Sequence, residues 1–358
     1  MNRTNNYKLI LLAFIIAVST ALASENLTVH FMDVGQGDAE LLQFNGKNVL
    51  IDGSTRDMGS RVECYLKEQG ISSFNLLIAT HPHEDHVGGL LTVLNDFQVG
   101  QVLDSGQEHT SQTFENYLNL IDRKNIPFAV AERGQTIDLD PALDIEVISP
   151  PTAHFIDDAL NQNSVVFKVT YENVSFLFMG DAGTEAENSL LSSGYNLNSD
   201  ILKVGHHGSS SGSSLTFLNA VTPAASIIEV GTGNDYGHPT QKTLNALSST
   251  GSKVYRTDLD GNIVVTTDGE DITVIAGRSI CSSTAPSSTS LAITSSQPTT
   301  EDTALSYGPF VGSSKSDKYH YPSCASAKRI KSSNLITFAT AEEASAAGYS
   351  PCSKCNPP

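Results

Sequence analysis

Three histidines and two carboxylates fall within six residues at His81-Pro82-His83-Glu84-Asp85-His86. The segment follows the apolar run Leu76–Ala79 and leads through Val87 into Gly88-Gly89, where a helical pattern opens. A strand-to-helix turn can point several side chains inward together, and neutral imidazole with carboxylate suits Zn²⁺, and also Mn²⁺ or Fe. A solvated loop would not concentrate ligand-type side chains in this way. Three further pieces end apolar strand patterns: Val49-Leu50-Ile51-Asp52-Gly53, Phe178-Met179-Gly180-Asp181 and Val204-Gly205-His206-His207-Gly208-Ser209. Each alone is weak, because a strand ending in Asp-Gly is usually only a turn. Together they describe one sheet edge, the usual place for an α/β active site.

The chain around these pieces alternates strands and helices from Leu27 to about Ala276. Strands are expected at Thr28–Met32, Glu40–Phe44, Asn48–Ile51, Leu76–Ala79, Ile145–Ile148, Val165–Thr170, Ser175–Met179, Ile201–Val204, Ser226–Glu229 and Ile263–Thr267. Helices are expected at Met58–Gln69, Gly88–Leu94, Phe114–Lys124, Thr184–Leu191, Leu215–Ala220 and Thr240–Leu247. The fold class is therefore α/β, a mixed sheet with helices outside. Residues 1–23 read as a signal peptide: Arg3 and Lys8, the apolar run Leu9 to Val18, then the small-x-small pattern Ala21-Leu22-Ala23. An uncleaved N-terminal anchor is the alternative, and no later segment is apolar enough to span a membrane. The divisions expected are a hydrolase domain at 24–278, a Ser/Thr-rich linker at 279–306 and a small module at 307–358. Cys64 and Cys281 stand alone, so the five cysteines do not form a disulfide framework. The formal charge of -18 opposes a broad nucleic-acid-binding face, although a bound metal adds local positive charge that formal counting ignores.

Asp52, His81-x-His83-x-Asp85-His86, Asp181 and His206 in this order resemble the metallo-β-lactamase superfamily across essentially all of residues 27–276. Asp33-Val34-Gly35-Gln36-Gly37-Asp38-Ala39, Asn161-Gln162-Asn163-Ser164, His206-His207-Gly208-Ser209 and Tyr236-Gly237-His238-Pro239 are similar to its ComEC-like branch. In that branch the domain is attached or related to the DNA-uptake channel of competence. The resemblance implies an αββα sandwich holding one or two Zn²⁺, with Mn²⁺ as an alternative. It implies that His81 and His83 hold the first ion, Asp85 and His86 the second, that Asp181 bridges, and that His206, or else His207, completes a site. Most members carry a further histidine where this chain has Asn161 and Asn163, as ComEC-like members do. Amide oxygen is the weaker ligand; His154 could substitute, but reads rather as an exposed loop histidine.

A metal lowers the pKa of bound water from about 15.7 to about 7, and two metals about 3.5–4 Å apart can stabilise an in-line phosphoryl displacement. Such a site could cleave phosphodiesters, β-lactams or thioesters. Gly208-Ser209-Ser210-Ser211-Gly212 offers N–H groups and hydroxyls suited to phosphate, or is simply a flexible loop. The loop Gly231–Pro239 could bring Asn234 and His238 over the metals, with His238 protonating a leaving group or stabilising charge. Asp85, His238 and Asn234 are thus the candidate catalytic residues. Lys203 stands beside the site in sequence, although strand alternation could equally send it to solvent.

The C-terminal module carries His320-x3-Cys324 and Cys352-x2-Cys355, the ligand set of a closed structural Zn²⁺ site; a disulfide is the alternative in an exported chain. It resembles the zinc-binding domain of Ada-type DNA-repair proteins. There the first ligand is a methyl-accepting cysteine; here it is His320, so methyl transfer is not expected. Six basic residues against three acidic ones from Phe310 onward suit contact with a DNA backbone. The function expected is an exported metal-dependent phosphodiesterase, a nuclease acting on DNA, with no protein partner. The rivals are another hydrolase of the fold (a phosphocholine or teichoic-acid esterase, or a β-lactamase) and a non-catalytic DNA-binding or surface protein.

Overall fold

The computed structural model describes residues 25–155, 160–278 and 281, and in the C-terminal part 310–313, 318–321, 324, 327, 330, 335–338, 344, 349–352, 354 and 355. The signal-peptide reading of 1–23 and nearly all of the linker reading of 279–306 lie outside the described residues.

Leu27–Phe31 is the strand about which the first sheet is laid down. Its neighbours give the order Ile272–Gly277, Asn262–Thr267, Leu27–Phe31, Glu40–Phe44, Lys47–Ile51, Leu76–Ala79, Val102–Asp104 and Phe128–Val130. The second sheet runs Lys253–Arg256, Ala225–Ile228, Ile201–Lys203, Val174–Phe178, Val166–Tyr171 and Leu143–Ser149. Strand alternation divides the apolar residues between two faces. Ile51, Ile78, Phe167, Phe176, Phe178 and Val265 meet between the sheets. Leu50 and Leu77 turn outward to the helices Gly59–Glu68, Leu90–Asp96 and Gln112–Arg123 through Val62, Leu66, Leu90, Val93 and Tyr117. Leu177, Leu202 and Ile228 face Leu190, Phe217 and Leu247 of the helices Thr184–Ser193, Leu215–Val221 and Gln241–Ser249. Two sheets back to back between two helical layers are the αββα sandwich that the sequence resemblance implied.

The strands most central to each sheet begin and end within two residues of their expected positions. Val102–Asp104, Phe128–Val130, Lys253–Arg256 and Ile272–Gly277 had no sequence signal assigned to them. The cysteine expectation needs correction: Cys64, in the helix Gly59–Glu68, forms a disulfide with Cys281, 217 residues away. Such a separation leaves no local spacing to read. The C-terminal module contains a four-stranded sheet in the order Leu335–Phe338, Phe310–Ser313, Lys318–His320 and Ser350–Pro351, with Phe310, Tyr319, Phe338 and Ala344 as a small core. No helix among the described residues is long and apolar enough to cross a membrane.

Candidate metal centre

Ends of strands from both sheets deliver the polar residues to one place. Asp52 follows Lys47–Ile51, His81 follows Leu76–Ala79, Asp181 follows Val174–Phe178, and His206-His207 follow Ile201–Lys203. The turns are tight enough to dictate residue type. A Cβ on Gly89 would lie 2.0 Å from the Gly53 carbonyl oxygen, and one on Gly37, where φ is +126°, would lie 2.3 Å from that of Asp85. Asp52, His206 and His207 themselves adopt positive φ of 54°, 49° and 51°. That backbone is costly outside glycine and persists only where the surroundings enforce it.

Two ligand sets converge. In one, His81 Nε2 lies 3.0 Å from His83 Nδ1 and 3.6 Å from Asp181 Oδ2. In the other, His207 Nε2 lies 3.4 Å from Asp85 Oδ2, with His86 completing the set. The other oxygen of Asp181 serves this second set, 3.3 Å from His86 Nε2 and 3.5 Å from His207 Nε2. His86 Nε2, His207 Nε2 and Asp181 Oδ1 are buried and lack any hydrogen-bond partner. Buried polar atoms are rarely left so, and three of them facing one another fit a cation. Burial pushes the His207 imidazole down, but Asp181 and Asp38 raise it to about 10. Burial likewise works against charge on Asp181, yet His207 and His86 hold its carboxyl well below the usual range. The centre therefore demands positive charge, which a divalent ion supplies to deprotonated ligands.

Hydrogen bonds behind the ligands fix their tautomers. His86 Nδ1–H donates to Asp52 Oδ2 at 2.6 Å, and Asp52 also accepts from the N–H and hydroxyl of Thr80. His207 Nδ1–H donates to the Glu229 carbonyl at 3.0 Å and lies 3.1 Å from Asp38 Oδ1. Each ring is left with Nε2 towards the centre, the usual arrangement of metal-ligating histidines. Lys203 is buried rather than solvated. Its ammonium sits 2.6 Å from Asp38 Oδ2 and 3.9 Å from Glu229 Oε2. Burial, with the nearby charge of Asp38, lifts Glu229 to about 8.

The remaining candidates separate clearly. His206 is partly exposed on the rim, 3.7 Å from Asp181 Oδ2, and Asn161 Nδ2 is 3.3 Å from its ring. Asn161 lines the cleft, whereas both ends of the Asn163 amide are bonded to the Phe155 backbone. His154 is exposed and away from the cleft lining. His238 lines the cleft, its ring 5.6 Å from that of His206. Asn234 does not fill the role expected of it: its amide is spent within its own loop, on the Gly231 carbonyl and on the N–H and carbonyl of His238. In the serine loop, Ser211 Oγ bonds to Ser209 Oγ at 3.0 Å and lies 3.2 Å from His206 Nδ1. Sequence reasoning did not single out His109, and Gln36 and Tyr236 stood inside quoted motifs with no role assigned; these three close the cleft of about 380 Å³. Isolated loop residues carry no periodic or spacing signal; Asp38 lay inside a quoted motif but had no role assigned. In the C-terminal module the ligand atoms of His320, Cys324, Cys352 and Cys355 gather within 4.8 Å of one another, a tetrad suited to a cation.

Residues 296–358 match the metal binding domain of Ada. Three curated proteins are similar to this chain. "ComE operon protein 3" of Bacillus subtilis is 28% identical, covering 70% of this chain and 34% of its own length. "Competence protein ComA" of Neisseria gonorrhoeae is 31% identical, with 71% and 34% covered. "Recombination protein 2" of Haemophilus influenzae is 31% identical, with 73% and 31% covered. The chain thus spans about a third of the length of the curated relatives it matches. Residues 32–231, more than half of the chain and all of the strand ends that converge on Asp181, match the metallo-beta-lactamase superfamily, and the chain belongs to it.

Proposed function

We propose that the protein is an exported metal-dependent phosphodiesterase that cleaves DNA. The observation that carries the reading is the Asp181 carboxylate, one oxygen facing the His81–His83 set and the other the Asp85–His86–His207 set. Zn²⁺ or Mn²⁺ held there would supply Lewis acidity and activate water. His81, His83 and Asp181 form one site; Asp85, His86, His207 and Asp181 form the other; His206 and Asn161 border the first. Two adjacent ligand sets under an open cleft, once loaded with cations, would suit a substrate whose reacting group carries negative charge, as a phosphodiester does. His238, which lines the cleft, would donate to the departing oxygen. The relatives named for competence and recombination direct the choice of diester towards DNA. The Cys64–Cys281 disulfide supports export, because such bonds persist in oxidising compartments. The C-terminal tetrad holds a structural Zn²⁺, and its basic module docks on the DNA backbone.

The test is to incubate metal-loaded protein with plasmid, bis-p-nitrophenyl phosphate and a chromogenic β-lactam. Hydrolysis of the first two and not the third is expected. Turnover of the β-lactam alone would refute the phosphodiesterase assignment.

A further inference from the structure

Beside the metal cleft lies a larger groove of about 700 Å³, and His109 lines both. The two therefore adjoin at His109. Its walls are Phe114 and Leu118 from the helix Gln112–Arg123, and Phe128 and Val130 from the edge strand of the first sheet. Leu118, Phe128 and Val130 are 39%, 43% and 46% exposed. They are three of the eight exposed large apolar side chains among the described residues. Exposed apolar side chains gathered along one groove suit a flat ring. The charge of the groove narrows what binds. Glu108 and Glu115 line it and no lysine or arginine does. A phosphate would be repelled there, whereas an uncharged flat ring with N–H donors could lie on Phe128 and donate to the carboxylates.

We propose that this groove receives an unpaired nucleobase flanking the phosphodiester at the metal centre, so that single-stranded DNA is cut in preference to duplex. The proposal rests on the phosphodiesterase reading above and deepens it. A diester bound over Asp181 that sends one of its two arms past His109 brings the next base to the groove, since His109 lines both cavities. The acidic walls then select the base rather than the backbone. A duplex keeps its bases stacked and paired, and unstacking one costs energy that a single strand does not pay. Stacking on an aromatic side chain tolerates any base, so the groove would grade substrates by strandedness rather than by sequence.

The test compares a thymidine oligonucleotide with an abasic oligomer of the same length, using the full metal-loaded chain and its Phe128→Ser and Leu118→Ser variants. Wild type should cleave the thymidine strand about tenfold or more faster in kcat/KM than the abasic one. Each variant should bring that ratio to within about threefold by slowing cleavage of the thymidine strand. Both substitutions lie on partly exposed side chains, and a thermal melt checks that the fold survives. Equal cleavage of the two oligomers by wild type, or an undiminished ratio in both variants, overturns the groove. If wild type cleaves neither, the hydrolytic reading falls instead. The groove is then judged by equilibrium binding of the same oligomers, where equal affinity overturns it.

Discussion

At the scale of single residues, the backbone of His206 and His207 decides which ring reaches the centre. Both sit at positive φ, which turns His207 inward and leaves His206 at the rim. His207→Ala should reduce turnover by at least about 100-fold and His206→Ala by clearly less. Steady-state rates on a small diester measure the difference, and the reverse order would reassign the ligand. Asp85→Ala should abolish hydrolysis while leaving the melting temperature close to wild type, since Asp85 is the more exposed member of its set; wild-type turnover would sink the proposed centre. A different prediction concerns His30, buried against Tyr65 and Gln43. Burial holds its imidazole down to about 4, below the unfolded value. The unfolded chain then takes up a proton that the native chain refuses. Stability from neutral His30 is complete above about pH 6.5 and is lost as pH falls towards 4, by roughly 3 kcal/mol. Urea midpoints of wild type and His30→Gln between pH 7 and 4.5 should converge as pH falls. Parallel curves would exclude His30 as the source.

Elements show how far the sequence reached. Glu40–Phe44 and Leu76–Ala79 stand where their patterns put them, because five or four apolar-rich residues between polar turns leave a strand few alternatives. Val102–Asp104 and Phe128–Val130 have three residues each, too few to display a period, and their state is set by pairing with a neighbour. The ligand segment at His81–His86 was legible because it is local. Asp38, Lys203 and Glu229 were not, since what joins them is contact between segments up to 190 residues apart. For the C-terminal module the element-scale prediction is functional. Deleting 307–358 should leave cleavage of bis-p-nitrophenyl phosphate unchanged. It should weaken plasmid cleavage, most visibly at low salt, where phosphate contacts bind tightest. Plasmid rates measured across a salt series for both forms provide the check. Identical curves would leave the module without a docking role.

Across the whole molecule, metal and disulfide act on the folded state by different routes. Asp38, Asp52, Asp85 and Asp181 crowd one centre, so cation binding should favour the native form by mass action. Melting temperature should rise on adding Zn²⁺ or Mn²⁺ to chelator-treated protein and fall again with excess chelator. The Cys64–Cys281 bond acts instead by restricting the unfolded chain. Its presence also sets a problem of timing. The sulfurs of Cys324, Cys352 and Cys355 lie together around His320, and bare thiolates attack disulfides. Coordination and sulfur exchange are therefore competing fates for the same three atoms during maturation. Oxidative refolding with a chelator present should trap mispaired isomers, seen as extra bands on a non-reducing gel. Supplying zinc from the start should leave one band, with Cys64 joined to Cys281.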